Sequence, residues 1–529
     1  MIGSHSVSAR DFALLAAGGG DGDTIRALAD GEFSRRLLLL QAVRETAPGT
    51  SAVTQAFTLL NELQRKRPDV VRFVLTLPAV GIWAVACLRD GDAASYPYLN
   101  CLAATAALLA DADTDIEVPV WDGAVFLPAL GSMTLGTSAG SARLRSRGGQ
   151  PAIVETGTGT IPLAEGAGWR PVRQLNAEAR GLRLRVWLED AGPFRGPEGV
   201  RLAAPLTEAQ AASWERVLGP AWELLARRHR QQAAGIAAGL RVLTPMAAQK
   251  AGASMSVTVA DGFGALLLTP PADPRSLALT LLHEAQHSKL AALHHVLPLH
   301  TDDPRPRWYA PWRDDPRPLN GLLHGSYAHL GVAAFWQGAL RDGDPDAAEE
   351  LAYWHNAVTE ALGQLTASGQ LTAAGARFAT GMAAGLTRLD TRQAPRPARD
   401  RAAERGIWDR MTWRMRHLRP DPAVTDELAR AWLTGAPPAR APEVTLRPGE
   451  RGPIGSLRPP AEGADLVHDP DEPAAWVRLA LTLREPFLIE RPELVRAIAL
   501  RVRELTGDTA EPAALTRWTA SLGPDDSLR

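Results

Sequence analysis

The stretch His283-Glu284-Ala285-Gln286-His287 constrains this chain more than any other. On an α-helix, residues four apart share a face one turn from each other, so two imidazoles at this spacing can reach one metal ion. The helix is well marked in the sequence. Asp273 and Pro274 make an N-cap and first position, Pro298 supplies a stop, and Leu277, Leu281 and Leu282 fill an apolar face. Five residues with three fixed positions recur in unrelated chains, so the surrounding sequence must say what the pair serves.

A chain of 529 residues can bury a large core and divide into several structural units. Its 57 basic and 59 acidic residues leave a net charge of −2, which gives no general attraction to nucleic acid or an anionic membrane. Arginine carries nearly all the positive charge; Lys66, Lys250 and Lys289 are the only lysines. Cys87 and Cys101 lie in apolar surroundings and suit a reducing compartment as free thiols. No basic-then-apolar leader opens the sequence and no apolar run approaches the ~20 residues of a membrane span, so a soluble, cytoplasmic protein is expected.

The expected fold is α+β and predominantly helical, with a metal-binding helix preceded by a short β-hairpin and a β-rich segment in the N-terminal half. Residues 1–114 read as a helical region, with apolar residues at helical spacing over Phe33–Glu45 and Ala52–Lys66 and buried helices over Leu75–Cys87 and Tyr98–Ala112. Residues 115–205 read as β-rich: a turn signal at Trp121-Asp122-Gly123 separates two short apolar runs, and Leu182, Leu184, Val186 and Leu188 alternate with outward residues. The Gly-Thr-Gly-Thr run at 157–160 lacks the Gly-Lys-Ser/Thr ending of a phosphate loop. Residues 206–434 form a helical region that holds the candidate site. It opens on the capping box Thr207-Glu208-Ala209-Gln210, and Asp261-Gly262 is expected to join strands Ser256–Ala260 and Phe263–Thr269 just before the motif helix. A Pro/Gly/Arg-rich linker over 435–465 and a helical C-terminal region over 466–529 complete the chain.

Two chemistries fit the histidine pair. In a zinc peptidase His283 and His287 hold Zn²⁺ and Glu284 is the base for its bound water. The form of that motif with a third histidine six residues on is excluded, because Leu290 and Leu293 occupy its glycine and histidine positions. A later glutamate (Glu349, Glu350 or Glu360) is an open alternative as third ligand. So is His324, in Leu322-Leu323-His324-Gly325-Ser326-Tyr327. Three imidazoles with open positions suit Fe(II) as well as Zn²⁺. Between them, Arg313 and Arg317 offer guanidinium forks that match a carboxylate, as a 2-oxo-dicarboxylate would require. The plainer reading pairs each arginine with Asp314 or Asp315 and gives them only the task of pinning the loop.

Three segments together carry more than the pentapeptide. Leu282–Leu290, the loop Tyr-Ala-Pro-Trp-Arg-Asp-Asp-Pro-Arg-Pro at 309–318 and Leu-Leu-His-Gly-Ser-Tyr-Ala at 322–328 resemble the H-E-x-x-H family of 2-oxoglutarate-dependent peptide β-hydroxylases. These enzymes act in bacterial pathways to ribosomally made peptide natural products. Val118–Gly131, Trp476–Leu483 and Arg491–Val495 extend the resemblance over most of the chain.

The resemblance implies Fe(II) at His283 and His287, with His324 as third ligand and Glu284 or Glu360 as the carboxylate alternative. It implies that Arg313 or Arg317 holds the distal carboxylate of 2-oxoglutarate. That co-substrate is consumed with O2 to give succinate, CO2 and a hydroxylated side-chain Cβ on a precursor peptide. Glu284, about 100° around the helix from His283, is expected to handle protons or support the ligands. Tyr327, one turn from His324, is expected as a hydrogen-bond donor behind it. A radical-chemistry peptide maturase in the same pathway would be a separate protein, since this chain has no cysteine cluster. Two other functions stay open: the zinc metallopeptidase, and a catalytically silent peptide-binding protein. His294, His295, His300 and His329 read as structural, Lys289 as part of an exposed helix face, and Trp308, Trp312, Trp336 and Trp354 as core.

Overall fold

The structure, a computed structural model, describes residues 5–47, 51–136, 140–147, 152–157, 159–164, 168–248, 254–447 and 472–522. The chain is mixed α+β, 58% helix and 15% strand, with its strands concentrated in the N-terminal half. It divides into two compact units, one comprising residues 1–15 and 19–297, the other residues 16–18 and 298–529. The division falls at Leu297/Pro298, directly after the motif helix and inside the stretch 206–434 that reads as one region in the sequence. The expected linker lies outside the described residues over 448–465, as does Thr158 of the Gly-Thr-Gly-Thr run.

In the first unit, helices Gly22–Thr46, Ser51–Lys66, Pro68–Leu75, Pro78–Asp90 and Tyr98–Leu109 pack around Trp83, Leu99 and Leu102, which are fully buried. The helix expected over Leu75–Cys87 starts three residues later, at Pro78, and runs to Asp90, because Leu75 ends the preceding helix and Pro78 suits a helix start. The same core takes in Ile116, Val118, Leu144 and Val154 from an antiparallel sheet ordered Thr114–Pro119, Ser141–Ser146, Ile153–Thr156, Gly159–Pro162. Asp122 and Gly123 adopt left-handed backbone (φ 50° and 73°), as the turn signal requires. The strands on either side nonetheless join different sheets: Ala124–Leu127 pairs with Gly131–Thr134, which pairs with Trp169–Pro171.

A five-stranded mixed sheet carries the motif helix. Its order is Ser256–Thr258, Ala265–Leu268, Val242–Pro245, Leu182–Leu188, Arg173–Ala179. The two parallel pairings are in the middle, where Val242–Pro245 and Ala265–Leu268 are buried at every residue. Such apolar runs are what a strand covered on both faces requires. Strands Leu182–Leu188 and Arg173–Ala179 alternate, and Leu184, Val186 and Leu188 point inward as their spacing predicts. Ser256–Thr258 and Ala265–Leu268 are antiparallel and shorter than expected, with residues 259–264 between them in place of a two-residue turn. The capping box at Thr207 is present, and the helix it opens breaks at His229 into Glu208–Arg228 and Arg230–Gly239.

Among its described residues the second unit is helical apart from one short strand pair, Leu418–Pro420 with Val444–Leu446. Leu319–Arg341, Ala347–Ala367, Ala373–Thr387 and Arg396–His417 are its long helices. A further core joins Trp408, Met411 and Met415 to Trp476, Leu488, Leu494 and Ile498 from the C-terminal helices. Among the described residues no single helix is long and apolar enough to cross a membrane. Cys87 and Cys101 are buried free thiols.

Candidate metal and co-substrate sites

The motif helix runs Pro274–Val296, capped by the Asp273 side chain accepting from the Ser276 N–H at 2.9 Å. Such a cap contributes about 1 kcal/mol. Leucine and alanine bury most of its circumference, so its few polar groups need specific partners. His283 and His287 bring their Nε2 atoms to 3.1 Å with rings inclined at 71°. Two nitrogens bound about 2.1 Å from one ion lie about 3.0–3.4 Å apart at cis or tetrahedral angles, so the pair has the separation of two ligands to one metal. Burial lowers the pKa of both rings; for His283 Glu284 opposes the shift, and for His287 burial and the neighbouring His283 push it down to about 3. Both imidazoles are therefore neutral at physiological pH, the form that binds a metal.

Glu284 is held by strand Ser256–Thr258. Its Oε1 accepts from the Ser256 hydroxyl at 2.6 Å and its Oε2 from the Thr258 hydroxyl at 2.5 Å. The Thr258 hydroxyl also reaches the Glu284 carbonyl at 3.1 Å, while Glu284 Oε1 is 3.9 Å from His283 Nε2. Only 4% of Glu284 is exposed. Hydroxyl-to-carboxylate bonds of this length are charge-assisted and offset the cost of burying the anion. Sequence reasoning passed over Ser256 and Thr258, although their i, i+2 spacing on a strand leading to the motif helix puts both hydroxyls on one face.

Lys289 corrects the sequence reading. It is not on an exposed face but 94% buried, with Nζ donating to the Gly19 carbonyl at 2.7 Å. Burial brings its pKa down to about 7. His295 holds the buried Glu32 on helix Gly22–Thr46 at 2.6 Å, a structural role as expected. The cavity of about 50 Å³ behind the helix, against Leu281, Ala285, Lys289 and Gly235, has room for a few waters, not a dicarboxylate.

The other candidate residues belong to the second unit. His324 lies partly exposed on helix Leu319–Arg341, and Tyr327 is fully buried with its ring 5.2 Å from Phe378. Among the described residues no group of three or more His, Cys, Asp or Glu side chains is assembled for a metal. In the loop before that helix, Arg313 Nε donates to Asp315 Oδ1 at 2.8 Å and Arg317 Nη1 to Oδ2 at 3.2 Å. Burial raises the Asp315 pKa, but the two guanidinium groups outweigh it and hold the carboxyl below its ordinary value. The loop itself holds two arginines and two aspartates and is neutral overall, with Asp314 3.6 Å from Arg416 and Asp315 bridging Arg313 and Arg317, so it is pinned as the plainer reading expects.

The loop is well anchored. Trp308 and Arg317 exchange backbone hydrogen bonds, Tyr309 packs on Trp413, and His417 bonds the Asp314 carbonyl at 2.5 Å. Trp312 and Trp354 sandwich His329 at ring separations of 4.5 and 4.4 Å, and the His329 Nδ1 is 2.8 Å from the Gly325 carbonyl. His329 is thus structural. Glu360 pairs with Arg410, and His300 with Asn320. In comparison with known proteins, no family model and no curated protein matches the chain.

Proposed function

We propose that the chain is an Fe(II)- and 2-oxoglutarate-dependent oxygenase that hydroxylates a side-chain Cβ of a ribosomally made precursor peptide. The observation that carries this reading is the engagement of Glu284. A zinc peptidase needs that carboxylate free to take a proton from metal-bound water. Here both oxygens are buried and already accept hydroxyl hydrogens from Ser256 and Thr258. An oxygenase needs no base there, only the two neutral imidazoles. The motif resemblance supplies the rest.

When bound, iron supplies the chemistry that uses O2 and 2-oxoglutarate to form succinate, CO2 and a hydroxylated carbon. His283 and His287 hold the metal; His324 is assigned as third ligand and Tyr327 as its support. Glu284 fixes the turn of helix between the two histidines. Arg313 or Arg317 neutralises the distal carboxylate of the co-substrate. The buried thiols suit a cytoplasmic setting, and any radical-chemistry maturase acting on the same precursor is a separate partner.

The arginines provide the test. Arg313→Ala or Arg317→Ala raises the KM for 2-oxoglutarate by about tenfold or more, the cost of a lost hydrogen-bonded charge. Unchanged 2-oxoglutarate dependence in both variants removes the co-substrate from this loop.

A further inference from the structure

Strand Ser256–Thr258 ends the five-stranded sheet, with Ala265–Leu268 as its one strand neighbour. The Thr269 N–H donates to the Met255 carbonyl at 2.9 Å, which makes Met255/Thr269 and then Val257/Leu267 the hydrogen-bonded pairs of the ladder. The backbone N–H and C=O groups of Ser256 and Thr258 therefore point out of the sheet, and no backbone partner meets them among the described residues. All three residues are partly exposed.

Natural sheet edges are usually guarded by lysine, proline, a bulge or an inward charge. This one is short, only three residues, but those three carry no lysine, proline, bulge or inward charge, and its register runs without interruption. The side chains of Ser256 and Thr258 are drawn to Glu284, and Val257 packs toward Met246 and Leu267 on the other face. What the edge offers is main-chain donors and acceptors at every second residue. That pattern is complementary to an extended peptide and to little else. Glu284, which this strand holds, adjoins His283 in the helix.

We propose that the free edge of Ser256–Thr258 is the docking edge for the peptide substrate, which adds to the sheet as a sixth strand beside the motif helix. The proposal rests on the reading of the chain as a peptide-modifying enzyme. Pairing through the main chain holds the peptide extended about 4.8 Å from the edge strand and tolerates varied side chains.

The test uses the full-length protein without iron or 2-oxoglutarate. Short random-sequence peptides on an array are screened for binding, and the tightest is resynthesised with single N-methyl groups along its backbone. Fluorescence anisotropy then gives each Kd. Strand addition predicts alternation: N-methylation at every second residue weakens binding about tenfold, and at the residues between leaves it unchanged. In the protein, Ser256→Pro removes an outward N–H and weakens binding about tenfold beyond Ser256→Ala, which loses only the hydroxyl. Absence of any bound peptide, a uniform response to N-methylation, or equal Kd for the two Ser256 variants overturns the proposal. The peptide series needs no altered protein, so misfolding of a variant cannot imitate the result. A separate assay of the protein with Fe(II), 2-oxoglutarate, O2 and a precursor peptide distinguishes the two readings: alternation with no succinate release there keeps the docking edge and rejects the oxygenase, and succinate release without alternation does the reverse.

Discussion

Glu284 decides how the motif is to be understood, because the same residue has different duties in the two chemistries. If it orients the helix turn, Glu284→Gln keeps its size and still accepts from one hydroxyl, and 2-oxoglutarate-dependent succinate release stays within about tenfold of wild type. If it is a base, the same change costs a factor of about 10²–10⁴ in peptide hydrolysis. Freeing the carboxylate gives the converse. Ser256→Ala with Thr258→Val leaves a buried anion without its donors, and iron affinity in anaerobic dialysis falls about 10–100-fold, the usual cost of losing groups that orient a metal ligand. Unaltered affinity in the double variant would show that the hydroxyls do not position the histidines.

At the scale of elements, the loop and helix that carry Arg313, Arg317 and His324 are set by aromatic packing. A Cβ at Gly325 would collide with the Trp312 indole, which stacks on His329. Gly325→Ala is expected to destabilise the protein by about 1–3 kcal/mol in urea denaturation and to raise the KM for 2-oxoglutarate through the displaced loop. A variant as stable as wild type would mean that the stack is dispensable. The motif helix was legible because its signals are local: Asp273, Pro274 and the leucine spacing act within a few residues. Helix Leu319–Arg341 likewise matches its apolar pattern. What stayed hidden depends on distant parts of the chain. Asp122-Gly123 announces a turn, but the partners of its flanking strands, Ser141–Ser146 and Gly131–Thr134, are set by tertiary packing. The hydroxyls that capture Glu284 come from 26 and 28 residues away. The burial of Lys289 depends on Gly19, 270 residues earlier.

That last contact matters to the whole molecule, since an ammonium buried in the first unit ties stability to pH. Its folded pKa of about 7 lies below the ordinary lysine value of about 10.4, so the folded protein releases this proton before the unfolded chain does. Between those values the unfolded state binds more protons, and this group's contribution to stability rises with pH. Buried Cys87, whose thiol burial pushes up to about 12, acts in the opposite direction above pH ~8.5, so the comparison must be differential. Wild type should gain on Lys289→Met in urea midpoint from pH ~7 to pH ~10; a constant difference would contradict a titrating buried lysine. The central claim concerns chemistry, and one measurement addresses it most directly. The protein is loaded with Fe(II) without oxygen, then given O2, 2-oxoglutarate and a candidate precursor peptide, and peptide mass and succinate are followed together. The account predicts a peptide heavier by one oxygen atom, formed in step with succinate and only when 2-oxoglutarate is present. A shortened peptide, produced with bound zinc and without succinate, would contradict it.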